Sequence, residues 1–154
     1  MFNRIQVNAG PVYRIAGAVV AAAILASLGS AATASAATSW LDWWSRSSVH
    51  VHQMQDAFED ASIAARTGDL PALHDACAAL HDATEGMAAD LPSPDPALTN
   101  VLQAAMNDYH AGAVYCDAAV HSGTASDLNQ ASSYLSQGDT HMQQALDILR
   151  NMPI

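Results

Sequence analysis

Apolar side chains recur at alternating spacings of three and four along residues 39–152, and the pattern is written four times. That spacing holds residues on one side of a 3.6-residue helix, so each run predicts one amphipathic helix. The first stripe is Trp40, Trp44, Ser47, Val51, Met54, Phe58, Ala61 and Ala65. Ser39 followed by Asp42 resembles a capping box, which predicts a helix over about 39–67. The second stripe is Leu70, Leu73, Cys77, Leu80, Thr84, Met87 and Leu91, opened by Asp69 as N-cap with Pro71 in the first turn. It is expected to end near residue 90, because the segment LPSPDP at 91–96 carries three prolines that remove donors and restrict the residues before them.

The third stripe, Leu98, Leu102, Ala105, Tyr109, Gly112, Cys116 and Ala119, starts from Asp95 as cap and Pro96 as first helical residue, and stops at Ser122 and Gly123. The fourth is Leu128, Ala131, Leu135, Gly138, Met142, Ala145, Leu149 and Met152, with Thr124 and Asp127 as a cap pair. Gly-Asp occurs at both 68–69 and 138–139, and either could mark a helix hairpin. Phase separates them. Continuing the first stripe past Ala65 puts core positions at 68, 72 and 75, whereas the second stripe falls on 70, 73 and 77, so the chain breaks there. Across Gly138 the spacing continues, which predicts one helix with glycine at a close-packing position, at a cost of about 1 kcal/mol relative to alanine.

Four such helices with short connections predict an all-α fold, an up-down-up-down four-helix bundle occupying residues 37–154. Alanine fills many stripe positions, so the core is thin: each alanine contributes far less than the roughly 1.5 to 3 kcal/mol of a buried leucine.

The N-terminus changes the picture of where this bundle works. Arg4 and Arg14 precede the apolar run IAGAVVAAAILASL, followed by small residues ending in Ala34-Ser35-Ala36. That order predicts a secretory signal peptide over residues 1–36, cut between Ala36 and Ala37, and a secreted or cell-envelope location. The alternative is an uncleaved anchor over residues 15–37, roughly 34 Å long at about 1.5 Å per residue, with Trp40, Trp43 and Trp44 at the membrane interface. Residues 29–38 are mostly Ser, Thr, Ala and Gly, which gain little from lipid, and this favours cleavage.

Cleavage would take two arginines and no acid, moving the net charge from −10 to −12 and leaving Arg46, Arg66 and Arg150 as the basic residues of a chain without lysine. Such a surface repels phosphate backbones and anionic headgroups. Nucleic acid is excluded as a partner, and membrane association is expected only if the N-terminal segment is retained.

The chemically dense stretch is LHDACAALHDA, residues 73–83. Cys77 and Cys116 each lie on a core stripe, of the second and third helices, and in an exported protein this predicts a disulfide. Their heights above the proline loop differ by roughly 9 Å at about 1.5 Å per residue, a climb that the extended loop can make. The bridge would close a loop of about 40 residues and stabilise the fold by roughly 4 kcal/mol. A rival reading takes Cys77 and His81, four apart on one face, with Cys116 and His110 as a tetrahedral metal site; a disulfide would consume both sulfurs.

His74 and His81 are two turns apart, about 10.5 Å, too far to share one ion at Zn–N distances of about 2.1 Å. LHDA repeated at seven therefore reads first as a heptad, with Leu in the core, His at the flank, Asp in solvent and Ala as filler. His81 with His110 is the best cross-helix pair, but two donors do not close a site, so no metal ligand set and no cofactor is expected. His50, His52, His121 and His141 read as scattered boundary or surface residues.

Trp40 and Trp44 are expected to plug an open end of the bundle with Trp43 beside them; the alternative is a partner-facing patch formed by all three. The methionines mostly follow the stripes and read as core filler. No G-x-S-x-G, H-E-x-x-H or glycine-rich phosphate loop appears, and Glu59 and Glu85 are not followed by His three residues later. The expectation is a protein that is not an enzyme.

The signal peptide, the lysine-free alanine-rich helices, the Gly-Asp turn, the LPSPDP loop and one cysteine on each flanking helix together resemble the small exported proteins of high-GC actinobacteria, mycobacteria and their relatives especially. The resemblance implies an exported helical fold and assigns no activity, so no functional residue is carried over. The expected function is a non-enzymatic envelope or secreted bundle that binds a protein partner; the alternative is a carrier of a small ligand, metal or haem.

Overall fold

The structure, a computed structural model, describes residues 31–152, with side chains from residue 39 onward. The expected signal segment and the alternative anchor lie largely outside the described residues. Among the described residues no helix is long and apolar enough to cross a membrane. They form four helices and no strand: α1 Ala31–Thr67, α2 Leu70–Ala89, α3 Pro96–Ser122 and α4 Ala125–Asn151.

The caps explain where three of the helices begin. Asp69 accepts a hydrogen bond from Ala72 N at 3.1 Å, and Asp95 accepts one from Leu98 N at 2.7 Å; in both helices proline follows in the first turn. Thr124 Oγ1 accepts from Asp127 N and donates to Asp127 Oδ2 at 2.6 Å, a reciprocal pair at the start of α4. Gly68 and Gly123 take positive φ values of 73° and 65°, where an L side chain is strained, and so close α1 and α3. The proline segment between α2 and α3 is tied by Ser93: its N–H donates to Thr99 Oγ1 and its hydroxyl to Asp95 O.

α1 departs from expectation at its start. Ser39 and Asp42 lie inside the helix rather than capping it, because the preceding AATASAAT is rich in alanine, the best helix former, and contains no breaker. The buried face of α1 is also turned slightly. Trp43, Ser47, Met54, Ala57 and Ala64 are buried, while Trp40, Trp44, Val51 and Phe58 pack at the edge of the core and Ala65 is exposed.

The other stripes hold well. α2 buries Ala76, Cys77, Leu80, Ala83, Thr84 and Met87; α3 buries Leu98, Leu102, Ala105, Met106, Tyr109, Gly112, Ala113 and Ala119. Leu70 and Leu128 are exceptions at 55% and 38% exposed, each in the first turn of its helix, beside a tight connection. α4 continues through Gly138 without a break.

Helices adjacent in sequence are packed together, and specific pairs fix how. Trp43 meets the end of α2 at Asp90, and His50 lies against Gly86. Between α3 and α4, Leu135 fills the space over Gly112 and the Tyr109 ring fills the space over Gly138. Phe58 reaches from α1 to Tyr109 on α3, with ring centroids 5.2 Å apart. Alanine and glycine at these crossings let the helices approach closely, and Leu98, Met87 and Met106 supply the largest fully buried side chains.

A histidine-rich seam between α2 and α3

Cys77 and Cys116 form a disulfide that joins α2 to α3, with Cα atoms 5.8 Å apart and a sequence separation of 39. Among the described residues there is no free cysteine. The sulfur-based metal site weighed from the sequence is thereby ruled out in this oxidised chain.

The heptad reading of LHDA describes α2 closely. Ala76 and Ala83 are buried, Leu80 is buried and Leu73 half-buried, Asp75 and Asp82 face solvent, and the two histidines flank the core. What the heptad does not reveal is the company the histidines keep on α3. His74 Nδ1 lies 2.7 Å from Asp117 Oδ1, and the other oxygen of that carboxylate is 3.5 Å from His121 Nδ1. The two imidazoles meet edge to face with centroids 5.4 Å apart. On the other side of the disulfide, His81 and His110 bring their rings to 4.5 Å, as the sequence suggested, and His81 Nε2 lies 3.9 Å from Glu85 Oε1.

Two sets of two histidines and one carboxylate therefore flank the bridge: His74, Asp117 and His121, and His81, Glu85 and His110. Within each set one ligand atom from every residue lies within 4.8 Å of the others. Each set draws on both helices. One helix provides a histidine and a carboxylate four residues apart, which puts both on one face, and the facing helix provides the second histidine. Asp117, His121 and Glu85 were not singled out from the sequence. The signal that finds them is the disulfide itself, because Cys77 beside Cys116 sets which turns of α2 and α3 are level.

The tryptophan end is organised differently from expectation. Trp43, 5% exposed, is the plug, and its indole N–H donates to Asp90 O at 3.1 Å, which meets the need of a buried indole for an acceptor. Trp40 packs edge to face on it at 5.7 Å, and Trp44 lies tilted at 6.3 Å. An open cleft beside Trp43 is bounded by Asp42 and Arg46 on α1 and by Pro92, Ser93 and Pro94. Asp90 collects Arg46 Nε at 3.8 Å and His50 Nε2 at 3.7 Å. His141 pairs with Asp108 at 2.8 Å between α4 and α3. His52 is exposed, and its Nδ1 lies 2.6 Å from Ser48 O on the same helix.

Met54, Met87 and Met106 are buried as core filler. Comparison of the chain with protein-family models, curated proteins and solved structures gives no match.

Proposed function

We propose that this is an exported, non-enzymatic binding protein of the cell envelope or the secreted fraction, released by cleavage after Ala36 and folded as an up-down-up-down four-helix bundle over residues 37–154. The observation that carries the reading is the Cys77–Cys116 bridge, buried at Cys77 and half-buried at Cys116, in a small, alanine-rich fold. Structural disulfides persist in oxidising compartments, and a core with few large side chains gains most from one. The two-residue connections at 68–69 and 123–124, and residue pairs that run in opposite sequence order between neighbouring helices, support the alternating topology. A protein partner would dock at the tryptophan end, where Trp40 and Trp44 pack on Trp43 and an open cleft lies beside that ring.

The second reading, a carrier of a small ligand or metal, is favoured by a separate observation: imidazoles and carboxylates gather on both sides of the disulfide. The intact mass of the protein recovered outside the cytoplasm of its native host tests the first reading. A species beginning at Ala37 and lighter by two hydrogens than the reduced chain is expected. A full-length chain retained inside the cell with both thiols free would contradict it.

A further inference from the structure

We infer that the α2–α3 seam holds two sites for a divalent transition metal, one at His74, Asp117 and His121 and the other at His81, Glu85 and His110. This names the ligand class for the carrier reading and rests on that reading, but not on export.

The donor chemistry selects the ion. Two imidazoles with one carboxylate suit zinc, copper or nickel, whereas calcium and magnesium favour sets made of oxygen alone. Zinc at about 2.1 Å from each of two ligand atoms in a tetrahedron separates them by about 3.4 Å. The donor atoms present lie within 4.8 Å of one another, so rotations of partly exposed side chains complete the geometry without moving a helix. In the first site, His74 and Asp117 already face each other at 2.7 Å across the helix boundary, and a metal ion takes the place of the hydrogen between them. His121 then closes from the next turn of α3.

Accessibility and rigidity favour both sites. His74, Asp117 and His121 are 47%, 45% and 66% exposed, so an ion reaches them without an opening motion. The disulfide holds the two helices at a set spacing between the sites, so little ordering is left to the binding event. The net charge of −10 raises the local cation concentration around the whole surface. Three protein ligands leave a coordination position open, which suits an ion that is exchanged rather than locked in a closed four-ligand site. The structural alternative is a pair of surface ion-pair clusters that bind nothing.

Titration of the full chain, purified with its disulfide intact and stripped by chelator, with zinc chloride alone distinguishes the two. Two zinc ions per chain are expected. His74→Ala and His81→Ala are each expected to lower the stoichiometry to one, and the double variant to abolish binding, while His52→Ala leaves both sites. Cobalt(II) added in place of zinc gives a second readout: absorption bands of a site with nitrogen and oxygen donors, halved in each single variant. Circular dichroism shows whether each variant keeps its helices, and one that does not is replaced by His74→Gln or His81→Gln. Absence of zinc binding at micromolar protein, or zinc binding unchanged in the double variant, overturns the inference. Loss of zinc binding in a chain that is exported and bridged would overturn the metal sites and leave the exported bundle standing.

Discussion

Tyr109 lays its ring over the bare backbone of Gly138 and donates its phenolic hydrogen to Asp139 Oδ1 at 2.8 Å. A Cβ on Gly138 would come within 2.5 Å of Tyr109 Cδ1 and Cε1, and the ring is buried with little room to withdraw. Alanine is the better helix former by about 1 kcal/mol, but overpacking costs roughly 1 to 3 kcal/mol. Gly138→Ala is therefore expected to destabilise the protein by about 1 kcal/mol in urea titration, against the helix-propensity trend. Stabilisation by that substitution would show that α3 and α4 are not in close contact here.

Tyr109→Phe keeps the ring and removes the hydrogen bond to Asp139. A loss of about 1 to 2 kcal/mol is expected in the same titration, since the acceptor is a carboxylate.

Beside the proline segment, Trp43 is the tryptophan that matters most to stability. Trp43→Phe removes the indole hydrogen bond to Asp90 O and part of the packing, with an expected loss of about 1 to 3 kcal/mol. Trp40→Phe and Trp44→Phe, at half-buried positions, are expected to cost less, a ranking that thermal melts of the three variants would check.

The Thr124–Asp127 cap gives the chain an acid-sensitive element. Hydrogen bonds from Ser122 first, and then from Thr124, hold the Asp127 carboxyl below its ordinary value. A folded-state value below the unfolded one means that folding favours the carboxylate. Its contribution is complete above the ordinary carboxylate range and is lost as pH falls through the lowered value. Asp127→Asn is expected to flatten the dependence of melting temperature on pH in that acid window, and Thr124→Ala to cost about 1 kcal/mol at neutral pH.

Most of the helix boundaries were legible because local chemistry sets them. Asp69 with Pro71, Asp95 with Pro96, Thr124 with Asp127 and the glycines at 68 and 123 each satisfy or interrupt backbone hydrogen bonds within a few residues. Phase alone carried α4 through Gly138. The start of α1 was not legible, since alanine extends a helix wherever no breaker intervenes, and Ser39 imitates a cap without being one.

The seam was legible in part. His81 and His110 could be paired because both flank a cysteine on a core stripe. Matching Asp117 and His121 to His74 takes the relative height of the two helices, which the expected Cys77–Cys116 bridge supplies, and also their rotation about their own axes, which the stripes leave loose by about a residue. The pairings of His50 with Asp90 and of His141 with Asp108 depend on the rotation of whole helices about their axes, a quantity that periodicity sets only to within a residue.

The bridge underlies both the bundle and its seam, and replacing Cys77 and Cys116 together by serine is expected to cost about 4 kcal/mol through the entropy of a loop closed across a sequence separation of 39. The most direct measurement is alkylation of the undenatured, unreduced protein, repeated in denaturant without reductant and again with it. The expected result is no modification in the first two conditions and two modified cysteines after reduction. Two adducts in denaturant before any reductant is added would contradict the account.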